Sequence, residues 1–440
     1  MKKLLLLFFQ LLVLQTAYSQ QAMTLQQVID KALAQNLNVQ AAQTDQRIAA
    51  AKVQEIYANL LPQISAEGKY QYYNNIPVQI LPASFLGGGA NEYAAVEFGL
   101  KQSTTGTVQF SQLLYNPSVF MGIRAGKAAA ELSDLQVRQV KENTVYAVSS
   151  TFYNLQTISK QLDFVQSNLN NIEKLLNITT QLQQAGLAKK IEVNRLKVNQ
   201  QNLLTQKNKL QTVQYQLYNA LKLQMGVDLA ENVQIDTALA ALPTDKAIEK
   251  GNRTDLQMVQ KQQVLLNIER QNIKTGYLPT LSAFGALSYT SYNDKFEPFG
   301  KLNGTKWYPA SFVGVQLNWD IFDGFRKQRQ LQTKKLEAEK LTKQEAFLVQ
   351  SIAMETANAQ KDYAQAQENV KNQQENWVLA QQNYEQVALA YKSGITPFVD
   401  VVSAETALRE AQSNYLTELI KLRASELEVK KANGNLLNEQ

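Results

Sequence analysis

The chain has 440 residues, 45% of them apolar, and contains neither cysteine nor histidine. Without these two residues it lacks the usual zinc, haem and thiolate ligands and the usual base of nucleophilic triads, so no catalytic residue, metal site or cofactor is expected, and no disulfide braces the fold. Its 44 basic and 38 acidic residues leave a formal charge of +6, dispersed along the chain rather than clustered as a nucleic-acid footprint.

At the N-terminus, Lys2 and Lys3 precede an apolar run from Leu4 to Leu14, and the small-residue pattern Ala17-Tyr18-Ser19 follows. This is the pattern of a cleavable secretory signal over residues 1–19. The run is too short to cross the roughly 30 Å hydrocarbon core as a helix, and no later stretch of ~18 apolar residues appears. The exported chain is therefore expected to be either soluble outside the cytoplasm or a β-barrel.

Beyond the signal the chain repeats itself. Leu60-Leu61-Pro62-Gln63-Ile64-Ser65 returns as Tyr277-Leu278-Pro279-Thr280-Leu281-Ser282, an offset of 217, and Asn36-Leu37-Asn38-Val39 falls on Arg253-Thr254-Asp255-Leu256 at the same offset. Further on, Ala185-Gly186-Leu187 corresponds to Ser393-Gly394-Ile395 at an offset of 208. Two copies are expected, 20–226 and 227–440, the second with a C-terminal tail. The drift between offsets places extra residues in the first copy, most economically in the Gly-rich loop from Leu81 to Ala94.

In each copy an early helix leads into two segments with the period of two that marks half-buried strands. In the first copy they include Gly68 to Tyr72 and Val108 to Phe110; in the second, Leu281 to Tyr289 and Val313 to Ile321. Tyrosines crowd them, at Tyr70, Tyr72, Tyr73, Tyr289 and Tyr292, with Trp307, Tyr308 and Trp319 nearby. Glycine and proline are then absent from Lys127 to Ala185, from Leu187 to Met225 and from Phe325 to Ser393. The two longest intervals, roughly 60 and 70 residues at 1.5 Å each, predict helical rods of roughly 90 to 100 Å. Seven-residue stripes run through the helices, as in Leu196, Leu203, Leu210 and Leu217, in Tyr363, Val370, Trp377, Tyr384 and Tyr391, and in Val401, Leu408, Tyr415, Leu422 and Val429. Such stripes predict supercoiled antiparallel pairs, each long helix reversing at Gly186 or Gly394 into a return helix of about 35 residues.

Four strands of ~10 residues are long enough for a bilayer but too few to close a barrel, and open edges are not tolerated in lipid. Several chains must then share one barrel, and a lumen wide enough for solutes points to a trimer with twelve strands. A coiled-coil structural or adaptor protein without a pore is the competing reading, but it gives no reason for tyrosine-rich strands of bilayer length.

The duplicated order of strand pair, long helix and return helix, the Leu-Pro step into the first strand, and the Gly-x5-(Asp/Glu)-Val hairpins resemble the TolC-like outer-membrane efflux protein family over Gln20 to about Asn433. The resemblance implies a mixed α and β membrane protein: a homotrimer with a 12-stranded barrel in the outer membrane and an α-helical tunnel across the periplasm. It further implies a passive exit duct of a tripartite efflux pump or type I secretion system, with a periplasmic adaptor and an inner-membrane transporter as partners. The hairpin residues Gly186, Leu187, Gly394 and Ile395 would mark the adaptor-docking tips. Glu192 and Asp400, each six residues after its glycine, would line the periplasmic entrance, where acidic rings favour cations. Tyr391, three residues before Gly394, matches the family's gating tyrosine. The family's arginine and second aspartate are replaced here by Thr396 and Ser403, so the same salt-bridged lock is not expected.

Overall fold

The computed structural model describes residues 22–87, 89, 93–238, 252–296 and 306–437, so the expected signal segment lies outside the described residues. Contacts divide the chain into two units. One takes residues from 47–131 and 261–341; the other takes the described residues of 1–46, 132–260 and 342–440. The elements, in chain order, are helices α1 (Leu25–Gln35) and α2 (Leu37–Ala58), strands β1 (Gln63–Tyr72), β2 (Val78–Pro82), β3 (Tyr93–Glu97) and β4 (Gln102–Tyr115), and helices α3 (Pro117–Gln184), α4 (Lys190–Met225) and α5 (Thr254–Thr275). Strands β5 (Thr280–Asn293) and β6 (Trp307–Asn318) and helices α6 (Arg326–Lys392) and α7 (Phe398–Ala432) complete them. Among the described residues no helix is long and apolar enough to cross a membrane.

The first unit is built on an antiparallel sheet with the order β1-β4-β5-β6. Side chains alternate across a strand, so the register assigns each residue to a face. One face carries rows such as Ile64–Phe110–Gly285–Val313 and Ala66–Val108–Leu287–Ser311, continued by Ala283–Val315 and Leu281–Leu317. The other carries Ser65–Gln109–Ala286–Phe312 and Glu67–Thr107–Ser288–Ala310. The sheet is thus apolar on one side and mostly polar on the other. Among the described residues nothing covers the apolar side, where Val313 is 82% and Ile64 74% exposed.

Aromatic side chains cover two glycines of the sheet. A Cβ on Gly285 would lie 2.5 Å from Phe110, and one on Gly314 would lie 3.0 Å from Phe284, so the rings rest where a side chain would otherwise stand. Strand β6 stops at Asn318, short of the expected Ile321. Trp319 leaves the ladder and donates its indole N–H to the Tyr277 carbonyl at 3.0 Å. The segment in which the offsets require extra residues holds a separate two-stranded sheet, β2 paired with β3.

Helix α3 begins ten residues earlier than the glycine-free interval predicts. Asn116 caps it by accepting from the Ser118 N–H at 3.0 Å, and Pro117 occupies the first turn, where its missing donor costs nothing. Gly122 and Gly126 lie inside the helix because α2 passes close: a Cβ on Gly126 would meet Ile56 at 3.1 Å and Val53 at 3.3 Å. These glycines serve packing, and they do not end the helix.

In the second unit the predicted stripes become the core. Val401, Leu408, Tyr415, Leu422 and Val429 of α7 are all buried, as are Val370, Tyr384 and Tyr391 of α6 and Leu196 and Leu203 of α4. Phe164 of α3 packs with Ala366 and Val370 of α6 and with Tyr415, Leu416, Leu419 and Leu422 of α7. Val165, Leu169 and Ile172 of α3 meet Leu203 of α4. One buried polar pair interrupts the apolar seam: Asn168 Nδ2 donates to Gln412 Oε1 at 2.8 Å. Such a pair is satisfied only in one register, which makes it a device for fixing how α3 and α7 align.

Candidate functional site

The two helix reversals are built alike. At the end of α3, the Leu187 N–H reaches back to the Leu182 carbonyl at 2.8 Å and Gly186 N–H to Gln183 at 3.1 Å; at the end of α6, Ile395 bonds Ala390 at 2.9 Å and Gly394 bonds Tyr391 at 3.0 Å. These are Schellman caps, which need a left-handed residue, and Gly186 and Gly394 supply it at φ 77° and 72°. The residues after the glycines stay uncovered: Leu187 is 77% and Ile395 80% exposed. Two apolar side chains are thus held out at the hairpin tips.

Just inside the tips, Leu175 of α3, Leu196 of α4, Tyr384 and Tyr391 of α6 and Phe398, Val401, Ala404 and Leu408 of α7 form one apolar cluster. Tyr391 is buried in it, its ring 5.9 Å from that of Phe398. Its hydroxyl donates to Thr179 Oγ1 at 3.4 Å. Burial raises the Tyr391 pKa; the Thr179 contact opposes the shift, and the nearby Glu192 carboxylate reinforces it. The fold therefore brings Tyr391 and Glu192 together, on helices α6 and α4, with Thr179 of α3 as the third member.

Asp400 stands apart from that group. It is exposed in the first turn of α7, where an anion is favoured by the helix dipole, and it accepts from Thr396 Oγ1 at 3.0 Å. The residue that replaces the family's arginine thus pairs with the acid four positions on, within a single hairpin. Ser403 is exposed.

The stripe also contains a charge that its apolar periodicity conceals. Glu405 is 4% exposed, between Val401 and Leu408. Arg409 Nε lies 2.8 Å from Glu405 Oε1, but its N–H is not aimed along that line, and both carboxylate oxygens lack a hydrogen bond. Burial raises the Glu405 pKa above its ordinary value of 4.5, with Arg409 opposing the shift. Burial, reinforced by the Glu405 charge, also pushes the Tyr384 phenol up to about 12.

A carboxyl that holds its proton more tightly when folded makes stability fall as pH rises through the raised folded value. Glu405→Gln is accordingly expected to raise the apparent melting temperature at neutral pH. That advantage shrinks as pH falls toward 4.5 and below, where the wild-type carboxyl is protonated in both states. Melting curves of both proteins between pH 4 and 8 check this. For Tyr391, the phenyl ring carries the packing. Tyr391→Phe should change unfolding free energy by about 1 kcal/mol or less, whereas Tyr391→Ala should cost about 3–5 kcal/mol in a denaturant titration.

The open sheet with its exposed apolar face and the long helices that reverse at paired caps fit the architecture of outer-membrane efflux proteins. The chain belongs to the outer membrane efflux protein family, whose model matches residues 28–226 and 245–435. Along its whole length it is 22% identical to outer membrane protein TolC of Escherichia coli strain K12, covering 88% of that protein. Its fold is similar to that of CusC, with a TM-score of 0.73 at 16% identity over 93% of this chain and 91% of the other. It is also similar to the open state of the Neisseria gonorrhoeae MtrE outer membrane channel, with a TM-score of 0.70 at 19% identity over 94% and 89% of the two chains. The protein is an outer-membrane protein whose relatives are channels, not enzymes.

Proposed function

We propose that three copies of this chain close a 12-stranded barrel in the outer membrane and that their helices form a tunnel in the periplasm. The assembly acts as the passive exit duct of a tripartite efflux pump or type I secretion system. The observation that carries this reading is the four-stranded sheet with an exposed apolar face and two unpaired edge strands, β1 and β6. Water penalises the face and lipid penalises the edges; insertion into lipid relieves the first, and pairing β6 of one copy with β1 of the next relieves the second. The face has the dimensions of a bilayer. Strand β6 runs the 12 residues from Trp307 to Asn318, about 37 Å along the strand and just under ~30 Å once a tilt of ~40° is allowed for.

The chain reaches the membrane after removal of a signal peptide at 1–19, and its copies 20–226 and 227–440 arose by duplication. Two joints of the same design support the duplication. Asn36 Nδ2 donates to the Gln224 carbonyl at 2.6 Å, and Arg253 Nη1 to the Ala432 carbonyl at 3.4 Å. A Cβ on Gly226 would strike Gln35, and one on Gly434 would press on Asn252. Each of these pairs is related by the sequence offset of 217 or 208. Every copy thus ties the end of its return helix to its own beginning.

At the tips, Leu187 and Ile395 beside Gly186 and Gly394 offer apolar contacts to a periplasmic adaptor, which couples the duct to an inner-membrane transporter. Tyr391 and Glu192 hold the entrance narrow by tying α6 to α4, and Asp400 adds an exposed acid from each copy. Single-channel recording in planar bilayers tests this, with wild type beside Glu192→Gln/Asp400→Asn. Discrete cation-selective steps that widen or lose selectivity in the double variant support the gate assignment. Unchanged steps keep the channel and remove these residues from the gate, and the absence of any step from well-folded wild-type protein contradicts the channel itself.

A further inference from the structure

The polar face of the sheet is interrupted by aromatic side chains at two levels, all from β5 and β6. Tyr292 and Tyr308 lie near the β5–β6 loop with ring centroids 6.4 Å apart, and Phe284 and Phe312 lie deeper, 5.9 Å apart and close to perpendicular at 66°. The register puts all four on the side that carries Ser65, Glu67, Lys69 and Gln109. Tyr308 and Phe312 are four residues apart, about 13 Å along the strand.

The four rings differ in what they do for the sheet. Phe284 covers Gly314, so its presence is explained by packing. Phe312, 57% exposed, and Tyr308, 50% exposed, stand off the polar face, where apolar surface is costly and no glycine requires them. Within the four-stranded sheet the charged residues are Glu67 and Lys69, one of each sign on this same face. The strands themselves are electrically balanced; one residue before β6, Lys306 Nζ lies 5.9 Å from the centroid of the Tyr308 ring, on one side of it, and among the described residues the Phe312 ring carries no such neighbour.

We infer that Tyr308 and Phe312 form an aromatic track on the lumen wall that binds flat aromatic or amphipathic solutes transiently on their way out. This rests on the reading of the sheet as one third of a closed barrel whose polar face lines the lumen. A planar solute can stack on either phenyl or phenol ring, and a molecule about 10 Å long can touch the second ring before leaving the first. Three such tracks would run along one barrel. The chemistry selects planar, weakly polar molecules over strongly hydrated ions of equal charge.

Blockade of single-channel current by ethidium, with tetraethylammonium as a non-aromatic cation of the same charge, tests the inference. Wild type is compared with Phe312→Ser/Tyr308→Ser and with the ring-keeping Phe312→Tyr; Phe284 is left in place because it covers Gly314. Ethidium should block wild type and Phe312→Tyr reversibly, with residence times about tenfold longer than in the double serine variant. Tetraethylammonium should behave alike in all three. Equal ethidium residence in wild type and the serine variant, at unchanged unitary conductance, overturns the track while leaving the barrel intact, and so does a wild-type channel that ethidium never blocks. A folded wild-type protein that forms no channel removes the barrel reading and the track with it.

Discussion

Gly226→Ala is expected to destabilise the folded chain by about 3 kcal/mol or more, the largest effect foreseen for any single methyl group. Two costs combine at this position. Gly226 sits at φ 71°, a conformation that costs an L-residue about 1–2 kcal/mol. A Cβ there would also lie 2.2 Å from the Gln35 carbonyl oxygen and 2.6 Å from its carbon. The obstacle is backbone, so no rotamer change relieves it, and α4 must part from the α1–α2 junction. That joint also holds the Asn36 to Gln224 hydrogen bond and borders the buried cluster of Val28, Ala32, Val148, Phe152, Leu221 and Met225. Gly186→Ala is the matched control: its φ is 77°, but nothing lies within 4 Å of the added carbon, so only the backbone cost of about 1–2 kcal/mol remains. Denaturant unfolding of both variants separates clash from conformation. Equal losses would mean that the α4 joint yields easily.

The second large effect concerns the apolar face. Val313 lies midway between Trp307 and Trp319 and is 82% exposed. Val313→Arg should cost about 2–4 kcal/mol per chain, since an arginine on the lipid side is most expensive at the bilayer midplane. Gln316→Arg, three residues on and on the opposite face, should be nearly neutral for insertion and act on ion flow instead. Urea-dependent folding into phosphatidylcholine vesicles measures the difference. Similar penalties at both positions would show that the two faces are not divided between lipid and lumen.

Much of this arrangement could be read from the residues. Helical stripes such as Val401, Leu408, Tyr415, Leu422 and Val429 were legible because a seven-residue period has one physical meaning, and all five are buried. Gly186 and Gly394 were legible as reversals because a left-handed cap is the setting in which glycine has an advantage. The start of α3 was not. Gly122 and Gly126 look like helix breakers until their neighbours Val53 and Ile56 are seen beside them, and that contact spans some seventy residues of sequence.

The candidate site divides along the same line. Tyr391 and Glu192 could be nominated through the resemblance to the efflux family, which fixes their positions relative to the turn glycines, but Thr179 could not, because its contact with Tyr391 depends on how α3 packs against α6. Thr396 was visible only as a missing arginine; its bond to Asp400 is a property of the folded hairpin. Glu405 gave one signal, an acid between Val401 and Leu408, which an apolar stripe should not contain. Its burial beside an Arg409 that fails to hydrogen-bond it follows from packing alone.

The central claim is that β6 of one copy pairs with β1 of the next, three times around a closed ring. The absence of native cysteine makes this directly measurable. Single cysteines placed along 63–72 are combined with single cysteines along 307–318 in the same chain, and the membrane-inserted protein is oxidised and run on a non-reducing gel. The account predicts that pairs in register give covalent dimers and trimers, with no larger species, while pairs one residue out of register, which point to opposite faces, give little. Monomers at every combination, or ladders extending beyond three copies, would contradict it.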